Sequence, residues 1–187
     1  MPPVSLQGHA TPHFHLITWL GLYRIGTPGL EGGDTGSIRL DMDNMPQPDA
    51  FLLVLPSFGG QARISADDYV EGGPELVAEV ASSSVSYDLY SKLNAYRRNA
   101  VREYIVWRTR DRAVDWFVLR GGTYEPLLPG QDGIVRSEVF PGLWLDPRAL
   151  ILGDMPTVAI KAHEGLASPE HATFLDRLKA ATPPPEA

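Results

Sequence analysis

The run Leu76-Val77-Ala78-Glu79-Val80-Ala81 is apolar except for one carboxylate at its centre. Bounded by Gly72-Gly73-Pro74 on one side and Ser82-Ser83-Ser84 on the other, it reads as a strand of a sheet covered on both faces. A carboxylate desolvated there without a partner costs several kcal/mol, and its pKa climbs until it takes a proton instead. A chain that keeps Glu79 must therefore bring something to it. Side chains alternate along a strand, so Glu79 shares a face with Glu75, Val77 and Ala81. The segment that follows, about 85 to 99, repeats Leu89, Leu93 and Tyr96, with Ala100 just beyond, at helical spacing and predicts a helix. On it, Asp88 and Lys92 are four residues apart and share a face beside the apolar stripe, so Lys92 can lean toward a sheet carboxylate. An earlier strand, Pro48 to Leu55, is almost wholly apolar after Asp49. If the two strands are neighbours, Asp49 and Glu79 meet at one end of the sheet. Two such carboxylates repel, and Mg²⁺ or Mn²⁺, which favour oxygen ligands, would relieve the repulsion.

Around this centre the chain reads as one domain. Leu16, Ile17, Leu20 and Tyr23 predict a helix over 13–25, preceded by a flexible arm over 1–12. A glycine-rich loop follows, then a short strand at 37–40. Residues 56–74 read as a polar insertion with a short helix near Ser65 to Tyr69. Ser84 or Ser86 can cap the helix that carries Lys92. Strands are expected at 103–109, 113–119, near Tyr124, and at 134–140. A short strand and a helix from Pro147 follow. The C-terminal extension, 154–187, is expected to hold one helix, from Ser168 to about Ala181, and a disordered Pro-rich tail. The order of elements gives an α/β class, α+β by strict naming. The strand 113–119, with Trp116 and Phe117, is read as an edge at which a second copy could pair to give a homodimer.

Composition narrows the function. The formal net charge of −7 argues against binding nucleic acid through bulk positive charge, but leaves room for an acidic, metal-loaded pocket that meets phosphate locally. The chain has no cysteine, so disulfides and thiolate metal sites are excluded, and a cytoplasmic location fits. No run of apolar residues is long enough for a membrane span, and the first residues lack the pattern of a signal peptide. His9, His13 and His15 are set aside as zinc ligands: their spacing matches no standard site, and two of the three fall on different helix faces. Asp41 and Asp43 lack the glycine and glutamate of a calcium loop. The triple serine lacks the glycines of a nucleophile elbow. Arg97, Arg98, Arg102, Arg108, Arg110 and Arg112 are read either as a solvated surface or as phosphate contacts. Glu79 with Lys92 could also be only a buried structural ion pair, and Asp88 only an acid favoured in a first helical turn.

Taken in order, the Pro48-Asp49 strand, the Leu-x-x-Glu-Val strand ending in serine, the Asp88-x-x-x-Lys92-x-x-x-Tyr96 helix, and the Glu103-Tyr104 strand resemble the Uma2 family. That family is assigned to the PD-(D/E)xK nuclease fold, and the resemblance runs from about Leu16 to Leu152. It implies a restriction-endonuclease-like domain over 13–153, a mixed sheet flanked by helices with additional antiparallel strands. It also implies that Asp49 and Glu79 hold Mg²⁺ or Mn²⁺ together with the Val80 carbonyl. Lys92 would orient or activate the attacking water, with Asp88 as an accessory. In the nuclease motif the lysine stands two residues after the acid; here that position is Ala81, so Lys92 on the helix would be its substitute. Family members ordinarily carry an acidic segment ahead of the first helix, and this chain opens almost at that helix. The expected function is a metal-dependent nuclease acting on phosphodiester bonds, in DNA by family habit. The rivals are a catalytically inactive fold that serves as a binding or assembly module, and a hydrolase of a small phosphate ester.

Overall fold

The computed structural model describes residues 5–82 and 87–181, with the side chains of Tyr87 and Asp88 outside that set. In chain order, a wide helical turn at Leu6–Ala10 leads into α1 (Thr11–Gly26), β1 (Leu30–Asp34), β2 (Ile38–Arg39) and β3 (Ala50–Val54). Then come β4 (Arg63–Ile64), β5 (Val70–Glu71) and β6 (Leu76–Ala81). A wide turn at Tyr87–Lys92 opens α2 (Leu93–Arg98), followed by β7 (Glu103–Arg108), β8 (Ala113–Arg120) and β9 (Thr123–Pro126). The chain closes with β10 (Val135–Arg136), β11 (Trp144–Leu145), α3 (Pro147–Leu152), α4 (Met155–Leu166) and α5 (Pro169–Ala181).

The fold is mixed α/β. Six strands form the central sheet in the order β1-β3-β6-β7-β8-β9. Only β6 and β7 within it are parallel, and the segment joining them carries α2, as a parallel pair requires a crossover. Every residue of β3 and of β6 is buried, as expected for strands covered on both faces. On one face, Leu16, Trp19 and Leu20 of α1 pack with Leu52, Ala78, Val80 and Ile105. On the other, Tyr96 of α2 packs with Val77, Ala81 and Tyr104. The small sheet β2-β5-β4 adds Ile38 and Val70 to that second face.

Several elements differ from the sequence-based expectations. The helix expected at 13–25 begins at Thr11, and the expected arm is wound into a helical turn from Leu6. No helix forms near Ser65: its hydroxyl accepts from the Tyr69 amide and donates to Asp67, which holds a turn between β4 and β5. β8 is an interior strand, not an edge. Gly121 and Gly122, both at positive φ, close a two-residue hairpin that lays β9 beside it. The strand expected over 134–140 shrinks to β10, because the amides of Glu138 and Val139 and the Ser137 hydroxyl all turn to the buried Glu103 carboxylate. The extension beyond 153 holds α4 as well as α5, and Val158, Ala162, Phe174 and Leu178 from these helices join the α1-side core. The proposed serine caps at 84 and 86 and the tail at 182–187 lie outside the described residues.

Candidate metal and phosphodiester site

β3 and β6 run antiparallel with Ala50 opposite Ala78 and Phe51 opposite Val77. One step further along that register sets Asp49 opposite Glu79, at the strand end where two side chains on one face approach closely. Asp49 does not continue the backbone ladder. Its Oδ2 accepts from the Val80 amide at 2.7 Å, so the carboxylate supplies the next rung itself. Glu79 is 3% exposed. Lys92 Nζ lies 2.9 Å from its Oε2, and the Tyr96 hydroxyl donates to its Oε1 at 2.9 Å. Burial pushes the Glu79 carboxyl up to about 7; the Lys92 ammonium opposes that rise, the Asp49 charge adds to it, and the Tyr96 hydrogen bond works against it.

Asp49 has a second set of neighbours on the α1 side. His9 Nδ1 is 3.0 Å from the Val80 carbonyl, and its Nε2 is 3.3 Å from Asp49 Oδ1. His13 Nε2 is 2.7 Å from the Asp49 carbonyl and 3.2 Å from Asp34 Oδ1. The two rings stand 5.6 Å apart between centroids. One ligand atom each from His9, His13 and Asp49 fall within 4.8 Å of one another, the metal-competent His/Asp group among the described residues. The group opens into a cleft lined by His9, His13, Phe14, Asp34, Gln47 and Asp49. Asp49 thus stands where the two layers meet, with Glu79 and Lys92 on one side and the imidazoles on the other.

The structure brings Asp49, Glu79, Val80 and Lys92 together at one end of the sheet. The Asp88 side chain lies outside the described residues. The donor chemistry suits a divalent cation: the Asp49 carboxylate, two imidazoles and the Val80 carbonyl meet at one strand end, with Glu79 beside them paired to Lys92 and Tyr96. His9 and His13, set aside from the sequence, are the residues that reasoning missed, and their separation of four was the available signal. His15 takes no part in the group. Several of the arginines read as phosphate contacts are engaged elsewhere. Arg108 pairs with Asp111 and Asp115, Arg102 with Gln61, and Arg97 with the Gly122 carbonyl. No described helix is long and apolar enough to cross a membrane.

Comparison with known proteins agrees with this fold. The crystal structure titled a putative nuclease belonging to DUF820, from Anabaena variabilis, matches with a TM-score of 0.59 over 81% of this chain and 84% of that one. At 9% identity the likeness is one of fold. No curated protein matches the chain. The model of the Uma2 family, described as "Putative restriction endonuclease", matches residues 1–148, and the chain belongs to that family.

Proposed function

We propose that the protein is a metal-dependent nuclease that hydrolyses phosphodiester bonds, in DNA, at the strand end formed by Asp49 and Glu79. The observation that carries this reading is the register that sets the two acids opposite each other, with Lys92 Nζ 2.9 Å from Glu79. Asp49, with Glu79 and the Val80 carbonyl beside it, would hold a divalent ion, which when bound would acidify a water and polarise the phosphate. Lys92 brings a positive charge from the helix that Ala81, at the nuclease lysine position, has no side chain to supply. Glu79, itself fixed by the Tyr96 hydroxyl, holds that ammonium at the sheet end, where it can meet charge developing on phosphate. Asp88 is an accessory acid on the same helix.

The test is cleavage of supercoiled plasmid in Mn²⁺ by the wild type, Asp49→Ala and Lys92→Ala. We expect relaxation by the wild type and a loss of at least about 100-fold in each variant, the scale of one electrostatic stabiliser. Undiminished cleavage by Lys92→Ala would remove the role given to that lysine. A second reading, an inactive fold that serves as a binding or assembly module, is favoured by one observation: both Glu79 oxygens are already engaged, by Lys92 and Tyr96. Robust turnover with any divalent ion eliminates it.

A further inference from the structure

We infer that His9 and His13, together with Asp49, form a binding site for a first-row transition ion (Mn²⁺, Co²⁺ or Zn²⁺) that discriminates against Mg²⁺. His9 Nδ1 faces the Val80 carbonyl at 3.0 Å, which can only accept, so this nitrogen carries the proton. In the neutral ring Nε2 then presents a lone pair, and it faces Asp49 Oδ1 at 3.3 Å. Two acceptors at that distance repel unless a proton or a metal cation lies between them. His13 Nε2 faces two acceptors, the Asp49 carbonyl at 2.7 Å and Asp34 Oδ1 at 3.2 Å, so Nε2 is the donor of this ring and Nδ1 keeps the lone pair of the neutral imidazole. A ring nitrogen pinned on a backbone carbonyl while the other turns to a metal is the usual way a ligating histidine is oriented. Asp34, half-exposed at the cleft, accepts from the His13 ring and helps to orient it. Imidazole with carboxylate suits manganese, cobalt and zinc, whereas Mg²⁺ prefers oxygen alone and keeps its waters. The group opens into the cleft, which leaves a coordination position for water or substrate, the mark of a reactive rather than a structural site. The binding stands on this geometry alone; only the ion's part in cleavage rests on the nuclease reading.

The experiment is calorimetric titration of the full chain, freed of any polyhistidine tag, with Zn²⁺, Mn²⁺ and Mg²⁺. Co²⁺ absorption serves as a report on nitrogen ligation. We expect one ion per chain, with Zn²⁺ bound at least about 100-fold more tightly than Mg²⁺. His9→Asn and His13→Asn should each weaken Zn²⁺ by about 100-fold or more and abolish the cobalt bands. Both side chains are only part-buried, and metal-free melting of each variant verifies that it is folded. His15→Asn should bind as the wild type does. Equal affinity for Mg²⁺ and Zn²⁺, affinity that survives both histidine changes, or affinity that falls only with Glu79→Gln would each overturn the inference. The last outcome would place the ion among oxygens alone. Histidine-dependent binding without DNA cleavage leaves this site standing and removes the nuclease reading. Mg²⁺-driven cleavage by a His9→Asn/His13→Asn double variant does the reverse.

Discussion

Glu79 is the residue at which stability and chemistry meet. Its carboxyl titrates near 7 in the folded chain and near 4.5 when unfolded. Between those values the native state holds the proton and the unfolded state does not. The contribution of Glu79 to stability is therefore greatest at low pH and declines as pH rises through that window. In Glu79→Gln that part of the pH dependence should vanish, so melting temperature between pH 4.5 and 7 should fall less steeply than in the wild type. An unchanged slope would count against a raised pKa. Lys92→Met leaves a buried carboxylate without its ammonium and should cost about 3 kcal/mol at pH 8. At pH 5 the loss should be much smaller, since Glu79 is then neutral, and urea unfolding at the two values gives the comparison. Lys92 was legible in the sequence as a partner of Glu79, because alternation along a strand and a spacing of four on a helix are local rules; the Tyr96 hydroxyl, read there only as part of the apolar stripe, was not. His9 and His13 were not. Four-residue spacing places two imidazoles on one helix face, but which strand end they meet depends on how α1 crosses the sheet, a property of packing between distant segments.

Elements were legible where apolar periodicity was strong and opaque where it was carried by small residues. β3 stands out as an unbroken apolar strand, β6 as one broken only by Glu79, and β7 as an apolar run between Glu103 and Arg108. α4 does not, because its buried positions are Val158, Ala162 and Gly165, a helical stripe with little hydrophobic bulk. Close approach is what those residues provide. A Cβ at Gly165 would stand 2.2 Å from the Gly142 carbonyl oxygen and 2.9 Å from the Trp144 ring. Gly165→Ala should therefore destabilise the protein by about 1–3 kcal/mol, the usual scale of overpacking. Gly21, in the middle of α1, has nothing within 4 Å of the same point. Gly21→Ala should instead raise stability by up to about 1 kcal/mol, through helix propensity alone. Thermal melting of the two variants should shift in opposite directions, and a loss in both would mean that the space beside Gly21 is tighter than the structure has it.

Over the whole molecule, the family match ends at residue 148 while the core continues. Val158, Ala162, Phe174 and Leu178 are each under 5% exposed, and the His171 ring is hydrogen-bonded to Thr27 at the end of α1. At roughly 1.5–3 kcal/mol for each large apolar side chain, α4 and α5 contribute on the order of 7 kcal/mol. A chain cut after Gly153, the domain boundary that sequence suggests, should lose its cooperative unfolding transition, which calorimetry would register as a missing heat-capacity peak. α4 has a start signal as α5 does, the Asp154 cap followed by Pro156, but its buried stripe of Val158, Ala162 and Gly165 is too small to mark a core helix in the sequence. The Asp49 rung across the end of β3 and β6 has a consequence at this same scale. Since the Val80 amide is secured by a side chain instead of by a neighbouring strand, its hydrogen–deuterium exchange serves as a gauge of the carboxylate: any solute that draws Asp49 away loosens that single proton, and with it the seam between the molecule's two layers.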